Sequence, residues 1–263
     1  MGKIIAVVNQ KGGVSKTTIA ANVATILAEK ELKLLLIDLD PQSNLTSYFI
    51  DKDVELKDSA TIRVLFEQQV VKNPDIIHHT RLPSLNIVPS STTLAAISWS
   101  TGTLIDAQRR LSTFLLDVKD KYDLILIDTQ PDLSTYTLNA LIASDFFLVP
   151  LQPERMSVNG FSLLSNTVHV VHSINPGLDF LGVICTQYDG RIASHKSWRK
   201  TIKETFGVKY LGDIHAAAIM KDCSDRKMTI TEVDKSNRSY QEHLLIARTL
   251  AKIAGVEAEW LQK

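Results

Sequence analysis

The chain has little cysteine. Cys185 and Cys223 are the two thiols in 263 residues, with no metal-ligand spacing between them, so both are expected to be reduced and structural. It has no run of about 18 apolar residues, the length that a membrane-spanning helix requires. It has no excess of either charge. The 29 Lys and Arg balance 29 Asp and Glu, which argues against a uniformly basic nucleic-acid binder and leaves room for a local basic face. No signal peptide precedes the first strand-like run, so a cytoplasmic protein is expected. Internal repeats and low-complexity linkers are absent. The hydrophobic fraction of 44% is that of a folded chain rather than a disordered one. The length suits one large α/β domain or two small ones, and a single domain over 1–263 is expected.

Apolar strand-like runs alternate with amphipathic helical stretches. Strands are expected at Ile4–Val8, Leu34–Ile37, Leu85–Val88, Leu124–Ile127, Phe146–Val149 and Leu181–Ile184. Their nearly continuous apolar character suits strands covered on both faces of a parallel sheet. Helices are expected at Thr17–Glu29, Thr101–Val118, Leu133–Ala143, Val158–Ser173, Lys196–Phe206 and Tyr240–Ala254. The fold class is therefore α/β: a doubly wound, mostly parallel sheet with helices on both faces, which binds ligands at the carboxyl ends of its strands. The polar stretch 46–81, with one helix near Ile62–Val71, reads as an excursion from that domain.

Between the first strand and the first helix lies Asn9-Gln-Lys-Gly-Gly-Val-Ser-Lys-Thr-Thr18. Strand, Gly-rich turn, then Lys-Thr opening a helix is the context of a phosphate-binding loop. Backbone N–H groups of the turn and the helix N-terminus face the phosphates. Lys16 would neutralise the β- and γ-phosphates, and the Thr17 hydroxyl would ligate Mg²⁺. The usual pattern, G-x-x-x-x-G-K-[ST], has Gly where Gln10 and Ser15 stand here. The pair Gly12-Gly13 still gives the backbone room, and an additional Lys11 precedes it. If Ser15 takes the positive-φ conformation that Gly often adopts before the lysine, it costs about 1–2 kcal/mol.

The form K-G-G-x-x-K-T-T resembles the deviant P-loop of the ParA/MinD superfamily of dimerising ATPases. A second stretch, Asp38-Leu-Asp-Pro-Gln-Ser-Asn-Leu-Thr46, is similar to the D-x-D-P-Q-x-N-L-T signature of the ParA branch. A third, Tyr122-Asp-Leu-Ile-Leu-Ile-Asp-Thr-Gln-Pro131, has the Walker B form. Gln130 and Asp132 depart there from the family's usual residues. Weaker likeness continues through Leu148–Gly160 and Thr186–Arg191, where the family's adenine pocket begins. The resemblance implies a P-loop NTPase fold with ATP and Mg²⁺ as cofactors, held by Lys11, Gly12, Gly13, Val14, Ser15, Lys16, Thr17 and Thr18. It makes Lys11 the lysine that reaches a partner's nucleotide across a dimer. It makes Asp40 the residue that positions the hydrolytic water. Thr17, Asp38 and Asp128 would form the metal shell.

The same resemblance implies an ATP-dependent homodimer that binds DNA non-specifically, is associated with the nucleoid, and is stimulated by a ParB-like centromere-binding protein, with no membrane partner. Basic residues of the C-terminal half are the candidates for DNA phosphate contacts. One group is Arg191, Lys196, Arg199, Lys200 and Lys203, the last four at i, i+3, i+4 and i+7 on one helix face. The other is Lys221, Arg226, Lys227, Lys235 and Arg238. The family's arginines opposite 214–219 are missing. The absence of a large N-terminal extension argues against sequence-specific operator binding. A MinD-like membrane-cycling ATPase is the alternative, against which stands the short, mixed-charge end at 256–263. An iron–sulfur reductase on this fold requires paired interface cysteines that are not in place. Ser15 keeps open a module that binds nucleotide without turnover.

Overall fold

The computed structural model describes residues 2–51, 53–67, 75–97, 107–256 and 260. Strands β1 (Lys3–Val7), β2 (Leu34–Leu39), β3 (His78–His79), β4 (Leu85–Val88), β5 (Leu124–Thr129), β6 (Phe146–Leu151), β7 (Asp179–Tyr188) and β8 (Tyr210–His215) form one sheet. Its order is β3-β4-β2-β5-β1-β6-β7-β8. All neighbours are parallel except β3, which pairs antiparallel with β4 at the edge.

The helices are α1 (Lys16–Ala28), α2 (Thr46–Phe49), α3 (Arg63–Phe66), α4 (Arg110–Val118), α5 (Thr135–Ala143), α6 (Arg155–Val171), α7 (Ala193–Phe206), α8 (Ala218–Asp225), α9 (Ile230–Val233) and α10 (Arg238–Ile253). They lie on two sides of the sheet because each central strand buries alternate residues on opposite faces. Along β1, Ile4 and Ala6 join one core with Leu111 of α4, Tyr136 of α5 and Leu164 of α6. Ile5 and Val7 join the other, with Ile19 and Val23 of α1 and Ile246 of α10. Burial on both faces explains why these strands read as unbroken apolar runs.

The doubly wound, mostly parallel architecture is the one expected. Strand β7 runs beyond both ends of the expected Leu181–Ile184. Strands β3 and β8 and helices α8 and α9 had no counterpart in the sequence reading. Within the stretch 46–81 the described residues hold α2, a 3₁₀ turn at Asp58–Ala60, α3 and the edge strand β3. The C-terminal part of the helix expected near Ile62–Val71 and the start of the one expected at Thr101–Val118 lie outside the described residues. No helix among the described residues is long and apolar enough to cross a membrane.

Strand order creates the site. The chain leaves β1 for β2 on one side of the sheet and later fills β6, β7 and β8 on the other, so β1 stands at the reversal point where α/β sheets open a crevice. The register aligns Val7 with Asp128 and Asp128 with Asp38. The loop after β1 and two carboxylates from adjacent strand ends thus reach the same level.

Candidate functional site

The loop between β1 and α1 is built largely from main-chain bonds. The Asn9 side chain donates to Pro150 O at 2.6 Å and accepts from Lys11 N at 2.9 Å, pinning the loop entrance to the end of β6. Gly13 has φ 71°, a left-handed conformation that costs glycine nothing sterically. Val14 is buried, and its carbonyl accepts from Thr186 Oγ1 at 3.1 Å. Ser15 stands at φ 70°, ψ 25°, the strained conformation anticipated for it. Helix α1 begins at the next residue. Two glutamines hold the outer rim. The amide nitrogens of Gln187 and Gln152 donate to Gly13 O at 2.5 and 3.1 Å, and Gln152 also donates to Gln187 Oε1 at 2.8 Å.

Lys16 is buried, and its ammonium donates to the carbonyls of Asn9 at 3.1 Å and Lys11 at 3.3 Å. Burial pushes its pKa down, against the pull of Asp128, Asp40 and Asp132. The ammonium is thus held on the concave side of the loop by weak neutral acceptors that an anion can replace. Lys11 points elsewhere. Its ammonium pairs with Glu154 Oε1 at 2.7 Å and donates to the Gln152 side chain. It is partly exposed and is held within its own chain.

Beneath the loop, Thr17 Oγ1 donates to Asp128 Oδ2 at 2.6 Å. Asp128 is fully buried, and its Oδ1 has no hydrogen-bond partner among the described residues. Burial, then the nearby Asp38 charge, raises its pKa to about 8, outweighing the Thr17 bond and Lys16. A hydroxyl beside a buried carboxylate with an orphaned oxygen fits a hard divalent cation, which would supply the missing charge and release the proton. Asp38 is equally buried, but its carboxylate is used up by the loop. It accepts from Thr46 N at 2.8 Å, Thr46 Oγ1 at 2.7 Å and Asp40 N at 3.0 Å. Burial nevertheless lifts its pKa to about 6. Its contacts make it the anchor that aims Asp40. Asp40 accepts from Gln42 N at 2.9 Å and faces the open cavity.

That cavity measures about 470 Å³ and is bounded by residues 12–18, Asp40, Gln42, Tyr48 and Lys227. A smaller hollow of about 270 Å³ shares Ser15 and Thr18 with it and continues past Gln187, Ala216 and Met220. The two hollows meet at Ser15, Thr18 and Gln187, and a chamber lined by the loop backbone and Lys16 suits a polyanionic ligand.

Residues 12–18 and Asp40 line this crevice, and Asp128 joins it from beneath through Thr17. Lys11 turns away to Glu154, and Asp38, expected in the metal shell, sits behind Asp40 with its carboxylate bonded to Thr46 and Asp40 N. The basic candidates do not form one surface. Lys196, Lys200 and Lys203 are exposed on α7, with Lys200 facing Glu204 at 3.8 Å. Arg199, between them, turns inward and makes a two-pronged pair with Asp213 at 2.7 and 2.6 Å. Burial would raise the Asp213 pKa, but the bonds from Arg199 and Tyr210 hold it below the usual value. Arg191 pairs with Asp189 at 2.7 Å and Arg226 with Asp222 at 3.3 Å. Lys221 is exposed at the rim of the smaller hollow. Lys235 and Arg238 pair with Glu29 and Glu242. Lys227 lines the same cavity as the loop. Gln152, Gln187, Tyr48 and Lys227 are site residues that sequence reasoning missed or placed elsewhere. For Gln152 and Gln187 the one available signal was their position at strand ends.

The profile of a family described as an AAA domain matches residues 2–180. Two uncharacterized proteins of Mycobacterium tuberculosis are 36% identical over 206 residues, 78% of this chain, and the match spans 64% of their own length. The sporulation initiation inhibitor protein Soj of Bacillus subtilis is 33% identical across 95% of this chain and 99% of its own. The chromosome partitioning protein ParA of Myxococcus xanthus is 31% identical across 96% of this chain and 89% of its own. Among solved structures, a plasmid partition protein of Borrelia burgdorferi bound to AMPPNP superposes with a TM-score of 0.80 at 27% identity, covering 96% of this chain and 100% of that one. The septum site-determining protein MinD of Pyrococcus horikoshii, complexed with Mg-ADP, shares the fold, with a TM-score of 0.78 at 23% identity over 98% and 100% of the two chains.

Proposed function

Since the chain belongs to the ParA family of P-loop ATPases, we propose that it is a partition ATPase: it binds Mg-ATP, dimerises, coats DNA without reading sequence, and is released when a centromere-binding partner stimulates hydrolysis. The observation that carries the reading is that Lys16, Thr17 and Asp40 line one cavity, with the buried Asp128 bonded to Thr17 beneath it. In this proposal the whole chain, 1–263, works as one ATPase domain.

When bound, Mg²⁺ neutralises developing charge on the phosphates. Thr17 and Asp128 would hold it. Residues 12–17 present N–H groups to the phosphate chain, and Lys16 exchanges its carbonyl acceptors for phosphate oxygens. Asp40, aimed by the Asp38–Thr46 anchor, orients a water. Lys11 breaks from Glu154 and crosses to the nucleotide of a second copy. Such a site works through positioning and charge neutralisation, so hydrolysis by the isolated protein is slow. Lys196, Lys200 and Lys203 are the phosphate-contacting face, and the Arg199–Asp213 pair stiffens α7 against β8 beneath them.

The test is binding to random-sequence DNA across a salt series with AMPPNP, ADP or no nucleotide. The reading expects tight binding with AMPPNP alone and a steep loss of affinity with salt. Lack of DNA binding in every nucleotide state would remove it. Nucleotide-dependent sedimentation with anionic vesicles would replace it with a membrane-cycling role of the MinD kind.

A further inference from the structure

The geometry assigns a third lysine to the nucleotide site: we propose that Lys227 binds the phosphate chain from the wall facing the P-loop. This deepens the reading above and rests on it. Sequence spacing grouped Lys227 with Lys221 and Arg226 as one basic cluster. In the fold those two point outward, whereas Lys227 is half-buried and lines the phosphate cavity.

Its backbone sets it apart. Helix α8 ends in a Schellman turn, in which Met228 N donates to Cys223 O at 2.9 Å and Lys227 N donates to Ser224 O at 3.2 Å. The residue between those bonds must be left-handed, and Lys227 has φ 55°. Glycine is the residue favoured there, because it has no Cβ to clash. A lysine in that place carries strain that the turn itself does not need. The exposed Glu31 does the same after α1, at φ 66°, so the strain bears on Lys227 only together with its place in the cavity.

The side chain has a fixed course. The Lys227 ammonium sits 6.0 Å from the centroid of the buried Tyr48 ring, a weak cation–π contact. Tyr48 and Ser224 line the same cavity wall as Lys227, so α2 and α8 flank the lysine. Among the described residues no carboxylate pairs with it, although Asp40 lines the same cavity. Every other C-terminal basic candidate but Lys196, Lys203 and Lys221 has an acid partner. A half-buried cation with no counter-ion, opposite Lys16 and the loop N–H groups, completes a chamber for a polyanion. The ligand class is the phosphate chain of a nucleoside di- or triphosphate.

Calorimetric titration of ADP and AMPPNP into wild type, Lys227→Gly and Lys227→Met, without DNA, tests this. Both variants should weaken nucleotide binding about tenfold, the loss expected for one charge-assisted contact. Lys227→Gly should at the same time raise the melting temperature of the nucleotide-free protein, since the turn is relaxed, so misfolding cannot account for the weaker binding. Wild-type nucleotide affinity in both variants overturns the assignment. If nucleotide affinity holds and a parallel random-sequence DNA titration with AMPPNP loses affinity in both variants, Lys227 is a DNA contact and the assignment is overturned. If neither changes, the side chain is merely solvated. A wild-type protein that binds no nucleotide overturns the nucleotide reading itself.

Discussion

Replacing Ser15 with glycine probes the strained joint of the site. Ser15 holds φ 70° directly before Lys16. A left-handed conformation costs a residue with a Cβ about 1–2 kcal/mol. Glycine would remove that cost but add about 0.5–1 kcal/mol of unfolded-state entropy. It would also forfeit the long Gln187 Nε2 to Ser15 Oγ bond of 3.3 Å, worth no more than about 0.5 kcal/mol. The net gain is at most about 1.5 kcal/mol, or roughly 3–6 °C in melting temperature for a chain of this size. The effect on turnover is larger in proportion. The Ser15 side chain borders both chambers of the cavity, where, in the proposed function, it would crowd a reacting phosphate. Relief of about 0.7–1.4 kcal/mol in the transition state corresponds to roughly three- to tenfold in rate. Phosphate release with saturating Mg-ATP, measured with nucleotide affinity and melting temperature, reports all three quantities. A Ser15→Gly protein that melts slightly higher, binds ATP like wild type and hydrolyses it several-fold faster is the expected result. A turnover change below about twofold refutes the steric reasoning.

The pKa values of Asp128 and Asp38 are raised, to about 8 and about 6, so the folded protein holds protons that the unfolded chain has lost. Their contribution to stability is therefore greatest below about pH 4 and declines as pH rises toward about 8. Nucleotide-free Asp128→Asn should be more stable than wild type by roughly 1–3 kcal/mol at pH 8, with the gap closing near pH 4 in urea melts. Wild type should bind Mg-ADP more tightly at pH 8 than at pH 6 as Asp128 loses its proton, and Asp128→Asn should lose that tightening, both read by titration. Arg199→Ala should cost about 1–3 kcal/mol by stranding Asp213 and leave the salt dependence of DNA binding almost unchanged. The triple substitution of Lys196, Lys200 and Lys203 by Ala should do the reverse, leaving stability within about 0.5 kcal/mol and reducing the slope of log affinity against log salt by up to about 3.

What could be read from the sequence depended on how local its cause was. Residues 9–18 and 38–46 carry their chemistry in consecutive positions, so the loop, its left-handed serine and the place of Asp40 were legible, whereas the contacts that turn Asp38 toward Thr46 and Asp40 N were not. The central strands were legible because burial on both faces leaves only apolar residues. Strand β8, Tyr210-Leu-Gly-Asp-Ile-His, was not, since it is an edge strand of mostly half-exposed and polar residues. Basic residues were the least legible, because spacing shows a shared helix face and not which side chain an acid captures. Arg199 goes to Asp213 through the β7–β8 register, and Lys227 reaches the cavity because the α8 turn packs over Tyr48. Both depend on contacts distant in sequence.

The most direct test of the account is the mass of the protein in solution by light scattering, with Mg-AMPPNP, with Mg-ADP and alone, for wild type and Lys11→Ala. Lys11 is held by Glu154 in the single chain and must cross to a second copy if nucleotide drives the dimer. The account predicts a doubled mass for wild type with Mg-AMPPNP alone, and a monomer for Lys11→Ala that still binds the nucleotide. A wild-type monomer under all three conditions, or a Lys11→Ala dimer as stable as wild type, would contradict it.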